Sequence, residues 1–110
     1  MKIFITGATG FIGKNLAARL VNESHDVICG GRSFAGLGPL LEKVKSVYID
    51  LEHRETIGNA LKEEKPDVVY HTAALVKSRS LEGLMRVNAE GTRNVLGACF
   101  NEGINKVIHV

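Results

Sequence analysis

The chain has 110 residues, 45% of them hydrophobic and 24% charged, with a formal net charge of +2. That balance suits one compact globular domain spanning residues 1–110 and excludes a disordered tract. So small a charge, with no run of five like charges, points away from nucleic acid and from a membrane surface as partners.

Cys29 and Cys99 stand far apart with no C-x-x-C spacing, so they are expected to be buried, reduced thiols. The N-terminal apolar run stops at Ile5, too short for a signal peptide, and no segment reaches the length of a membrane span. A cytoplasmic protein is the expectation.

Lys2 to Thr6 is short, apolar and rich in β-branched residues, as a strand buried on both faces requires. Gly7, Gly10 and Gly13 follow, and from Phe11 to Val21 the apolar residues Phe11, Ile12, Leu16, Ala17, Leu20 and Val21 recur at helical spacing. Asp26 to Gly30 reads as a second strand. The stretch from Gly30 to Pro39 holds four glycines and one proline and reads as a loop, followed by a short helix over Leu40 to Lys45.

Ser46 to Asp50 is a third strand ending on a carboxylate. Glu55 to Glu64 carries the stripe Ile57, Ala60 and Leu61, with Pro66 just past its end. Asp67 to His71 is a fourth strand, and Thr72 to Ser80 a loop containing Lys77 and Arg79. Leu81 to Asn101 is the longest helix, with Leu84, Val87, Val95, Leu96 and Cys99 available for its buried side. Gly83, Gly91 and Gly97 each weaken that helix by about 1 kcal/mol relative to Ala, which reads as close packing against the sheet. Gly103 suits a C-cap, and Lys106 to Val110 is a fifth strand.

Strands alternating with helices predict a parallel sheet with right-handed crossovers and helices on both faces. The fold class is α/β: a Rossmann-like, doubly wound sheet in the order 3-2-1-4-5, truncated after strand 5. Its switch point lies between strands 1 and 4, where open α/β sheets bind ligands.

The glycine turn sits at that switch point, between a strand and a helix whose first N–H groups and dipole favour an anion. The expected anion is the pyrophosphate of a dinucleotide. Gly7 would allow the tight turn, Gly10 the approach of backbone to the pyrophosphate, and Gly13 close packing of helix and strand. The spacing is G-x-x-G-x-x-G rather than the usual G-x-G-x-x-G.

Where an acidic residue would hold the adenosine ribose stands Gly31, followed by Arg32. A guanidinium there suits the 2′-phosphate of NADP over NAD, unless Arg32 is a solvated loop cation. Asp50 is placed to accept from the adenine amino group, or else is a turn or N-cap aspartate. Thr72, Ala73 and Ala74 are small residues beside which a cofactor could lie. His71 has no assignable catalytic partner and reads as a packing histidine at a strand end. The four histidines show no metal-ligand spacing.

These pieces together resemble the N-terminal part of the extended short-chain dehydrogenases/reductases, the NAD-dependent epimerase/dehydratase group. The resemblance rests on Thr6-Gly7-Ala8-Thr9-Gly10-Phe11-Ile12-Gly13, Asp50-Leu51, His71-Thr72-Ala73-Ala74 and the stretch from Val87-Asn88-Ala89 to Val95-Leu96. Gly31-Arg32-Ser33 looks most like the dihydroflavonol-reductase-like and sugar-epimerase-like branch. The resemblance implies that Gly7 to Gly13, with Thr9, Phe11 and Ile12 among them, hold the pyrophosphate. It implies that Asp50 and Leu51 border the adenine, that Ala73 and Ala74 line the nicotinamide ribose, and that Asn88 supports the active-site hydrogen-bond network. Arg32 would be the NADP-type residue.

The family's chemistry is hydride transfer on a nucleotide-sugar or related carbonyl or carbinol substrate. It uses a Ser/Thr after strand 5 and a Tyr-x-x-x-Lys pair. Tyr48 and Tyr70 are followed four residues later by Glu52 and Ala74, so neither begins such a pair. The expectation is therefore the cofactor-binding part of such an enzyme, or a non-catalytic NADP(H)-binding or redox-sensing module. Truncation after strand 5 would also leave an apolar surface and favour self-association.

Overall fold

The computed structural model describes residues 1–72 and 81–110. Five strands, β1 (Lys2–Thr6), β2 (Asp26–Gly31), β3 (Lys45–Tyr48), β4 (Val68–His71) and β5 (Val107–His109), form one sheet in the order β3-β2-β1-β4-β5. All four neighbouring pairs are parallel. The helices are α1 (Phe11–Asn22), α2 (Arg54–Glu64) and α3 (Leu81–Asn101), with a 3-10 segment over Ala35–Lys43. This is the doubly wound order expected from the alternation of periods.

Alternate residues of each strand feed two cores, because side chains switch faces at every step. On one face Ile3, Ile5, Val27, Cys29 and Val68 pack with Ala17 and Leu20 of α1 and with Leu37 of the 3-10 segment. On the other, Phe4, Ile28 and Val69 pack with Ile57, Ala60 and Leu61 of α2 and Val95, Ala98 and Cys99 of α3. Both cysteines are buried and free, and burial pushes each thiol up to about 11.

Several local readings need correction. The stretch read as loop and short helix is one 3-10 segment from Ala35 to Lys43, bent at Gly38 (φ 58°, ψ −133°) ahead of Pro39. Leu37 anchors it in the α1-side core, a tertiary contact that the glycine-rich composition hides. β2 runs on to Gly31, and β3 starts at Lys45 and ends at Tyr48. Ile49 still donates to Gly31 O at 3.1 Å, after which Asp50 turns to bridge with His53.

Phe11 (80% exposed) and Ile12 are not on the buried side of α1, because its first turn projects past the end of the strands. In α3, Val95 and Cys99 are buried but Leu96 is 49% exposed. Gly91 and Gly97 lie against the Leu51 side chain and the Arg54 guanidinium, not against the sheet. The side chains of Leu84 and Val87 and the surroundings of Gly83 lie outside the described residues, as do Lys77 and Arg79.

Candidate functional site

At the C-terminal edge of the strands, between β1 and β4, lies an open cleft of about 1560 Å³. It is larger than the ~300–1,000 Å³ of an ordinary small-molecule site. Its walls come from the turn after β1, the ends of β2 and β3, and the middle of α3.

The turn is built by its glycines. Gly7 takes φ 68°, and a Cβ on it would collide with the side chain and carbonyl of Thr72. Gly13, in the first turn of α1, lies so near Gly7 O and Ala8 Cα that a Cβ would overlap backbone. The protein's own packing therefore demands glycine at both positions.

Gly10 differs. It is the N-cap of α1 with φ −74° and ψ 167°, values open to any residue, and an added Cβ would come no closer than 3.4 Å to Gly7 O. Among the described residues no close contact requires glycine there, yet Gly10 faces the cleft. α1 also lacks a side-chain cap and has no acidic residue in its first turn. Among the described residues nothing accepts from its leading N–H groups, which suits an external acceptor. An anionic group lying on backbone fits this cradle.

Of the other expected residues, Thr9, Phe11, Arg32, Asp50, Leu51 and Asn88 line the same cleft. Arg32 is exposed directly after β2, and Asn88 is half-buried in α3. Asp50 also acts as a turn aspartate: Oδ1 accepts the Glu52 N–H at 3.0 Å, while Oδ2 lies 3.9 Å from His53 Nε2. Ile12 and Gly13 do not line the cleft. Neither does Thr72, which is buried and donates its hydroxyl to Thr6 O at 2.7 Å beneath Gly7. Ala73 and Ala74 lie outside the described residues.

His71, expected as a packing histidine at a strand end, is one, and it has polar partners that the sequence did not indicate. His71 is 4% exposed, with Nδ1 2.6 Å from Thr6 Oγ1 and Nε2 3.0 Å from Thr92 Oγ1. Its ring stacks on His109 with centroids 5.0 Å apart and planes at 24°. Burial, helped by the neighbouring His109, lowers its pKa to about 4, so the imidazole is neutral at physiological pH. Asn94 donates to Leu51 O at 2.6 Å and ties α3 to the turn after β3. One signal was available: Asn88 and Thr92 are four apart on a helix and so share a face.

The model of the NAD dependent epimerase/dehydratase family matches residues 3–110. Over 116 residues the chain is 32% identical to a 4-hydroxy-2-methyl-3-oxo-4-farnesyl-3,4-dihydroquinoline-1-oxide ketoreductase of Stigmatella aurantiaca, covering 100% of this chain and 33% of that protein. It is 32% identical over 119 residues to a UDP-glucose 4-epimerase of Mycolicibacterium smegmatis, covering 99% and 38%. Among solved structures it superposes on gox2253 with a TM-score of 0.85 at 28% identity, over 98% of this chain and 33% of that one. The chain thus spans about a third of the length of the curated relatives it matches. With nearly every residue inside the family match and the strand order in agreement, the chain belongs to the NAD-dependent epimerase/dehydratase family.

Proposed function

We propose that residues 1–110 are the dinucleotide-binding part of an NAD(P)-dependent epimerase, dehydratase or reductase. The observation that carries this reading is Gly10, a glycine that packing among the described residues does not need, at a helix N-terminus without a side-chain cap facing the cleft. The pyrophosphate lies on the turn from Gly7 to Gly13, with Asp50 and Leu51 at the adenine and Asn88 on the opposite wall. Ala73 and Ala74 take the nicotinamide ribose side.

Gly31 leaves no carboxylate at the end of β2 to repel a 2′-phosphate, and the exposed Arg32 guanidinium, at the cleft edge, suits one bidentately. NADP is therefore the preferred cofactor, with NAD the alternative. When bound, the nicotinamide exchanges a hydride with a carbinol or carbonyl carbon of the substrate, a nucleotide sugar or related compound. Neither Tyr48 nor Tyr70 begins a Tyr-x-x-x-Lys pair, so neither supplies the family's acid/base step. A reducing, cytoplasmic setting suits the two buried free thiols. Pairing with a second copy through exposed apolar side chains of α3 is part of the same reading.

Calorimetric titration with NAD and NADP tests it. NADP binds at least about tenfold tighter than NAD, the worth of a charge-assisted contact to the 2′-phosphate, and Arg32→Ala removes the difference. Gly10→Ala weakens both cofactors about tenfold or more while lowering the melting temperature by only about 2–8 °C. Binding of neither cofactor overturns the reading, and equal affinities overturn the preference for NADP alone.

A further inference from the structure

The two walls of the cleft meet below its floor at a single buried side chain. Parallel register sets Thr6 of β1 opposite His71 of β4, and His71 opposite His109 of β5. The three side chains therefore share the sheet face that carries α3. They continue the row Phe4, Val69 and Val107 toward the cleft, but with polar groups where that row is apolar. Thr6 immediately precedes Gly7, and Thr92 lies one helical turn beyond Asn88 on α3.

We propose that His71 is a positioning residue, a two-ended clamp that holds the glycine turn at a fixed distance from the α3 wall through Thr6 and Thr92. The proposal rests on the cofactor reading of the cleft. A neutral imidazole has one donor and one acceptor, and a threonine hydroxyl can serve as either. Both ring nitrogens are therefore satisfied by the two threonines without any charge. His109 stacks on the ring and covers it from the β5 side.

An apolar side chain could fill this volume, but it could not join two elements by directional bonds. A leucine would also leave the buried Thr6 hydroxyl short of a partner, the costly way to break a hydrogen bond, and would release the half-buried Thr92 hydroxyl to the cleft. Because Thr6 adjoins the turn and Thr92 adjoins Asn88, the clamp sets the gap into which a dinucleotide must fit. Closely fitted sites lose affinity when such a supporting contact is released.

A double-mutant cycle read as NAD affinity tests this, at a temperature where circular dichroism shows every variant folded. Thr92→Val weakens NAD about fivefold in the unmodified chain, the effect of about one neutral hydrogen bond. In a His71→Leu background the same substitution has almost no effect, because the bridge is already gone. If His71→Leu does not fold, Thr6→Val and Thr92→Val serve instead, and the double variant then binds NAD no worse than the weaker single one. Multiplicative losses, or unchanged affinity in either threonine variant, overturn the clamp. Failure of the unmodified chain to bind any dinucleotide overturns the cofactor reading and the clamp with it.

Discussion

Gly13 and Gly10 are both glycines facing the same turn, but substitution separates their roles. A methyl group on Gly13 meets the carbonyl of Gly7 and the Cα of Ala8, all backbone, so neither neighbour can rotate away. Gly13→Ala is therefore an overpacking mutation and costs about 2–3 kcal/mol, a fall of roughly 10 °C or more in Tm for a domain of this size. At Gly10 the nearest described atom stands 3.4 Å from the added methyl, and replacing Gly by Ala at an N-cap costs about 0.5–1 kcal/mol, well below the cost at Gly13. Thermal melts of the two variants without cofactor check the contrast. Equal destabilisation by both would show that Gly10 too is kept for packing.

His71 supplies a second residue-scale test. Its folded pKa is lowered to about 4, chiefly by burial and secondarily by His109, against about 6.5 in the unfolded chain. Between those values the unfolded chain holds the proton and the folded one does not, so stability falls as pH drops from about 6.5 to about 4 and then levels. The full shift corresponds to ~3 kcal/mol. Allowing for solvent reaching the ring through the open cleft, the loss is about 2 kcal/mol. Urea unfolding at pH 7 and pH 4.5, with the His71 ring titrated by NMR, measures both quantities. A ring midpoint above pH 6 would remove the basis for the loss. This role was not legible in the sequence, because Thr6 and Thr92 lie 65 and 21 residues from His71 and only the sheet brings them together.

At the scale of elements, legibility followed the length and regularity of the pattern. The five strands and three α-helices, and the strand order, could be read from alternating periods because parallel neighbours need crossovers. The 3-10 segment could not. Its glycines and proline carry the local signal of a loop, whereas Leu37 folds it down onto the sheet through a contact set by β1, β2 and α1. Periodicity likewise placed Leu96 with the buried residues of α3, but the helix packs through Val95, Ala98 and Cys99, and Leu96 turns toward the cleft. Gly91 and Gly97 are close-packing positions, as expected, but their neighbour is not the sheet. Side chains from α2 and from the turn after β3 fill the space beside Gly97 and Gly91. In the cleft, what could be read from the residues was what the backbone fixes, the glycine turn and the strand-end loops, whereas Asn88 was indicated only by the family resemblance. Ile12 and Thr72 could not be separated from cleft residues, because the motif gives their neighbourhood and not the direction of their side chains.

For the molecule as a whole, the three most exposed large apolar side chains of the described surface, Phe100, Phe11 and Met85, stand in two places. Phe11 stands at the mouth of the cleft, and Met85 (63% exposed), Leu96 and Phe100 (84% exposed) run along α3. Positions 85, 89, 96 and 100 recur at spacings of four, seven and four, which lines Met85, Ala89, Leu96 and Phe100 along one stripe. The stripe is about 22 Å long at 1.5 Å per residue. Turned end for end, it sets Met85 against Phe100 and Ala89 against Leu96. It also brings Glu90 near Arg93 of the other copy, as a two-fold interface requires. One helix face is a small contact area, so pairing should be weak, in the micromolar range or above. Sedimentation velocity over a hundredfold concentration range should show a reversible monomer–dimer equilibrium. Because Phe100 is almost fully exposed, Phe100→Glu should abolish pairing while leaving the melting temperature of the dilute protein unchanged. A monomer at every concentration, or a dimer indifferent to Phe100→Glu, would remove α3 as the self-association face.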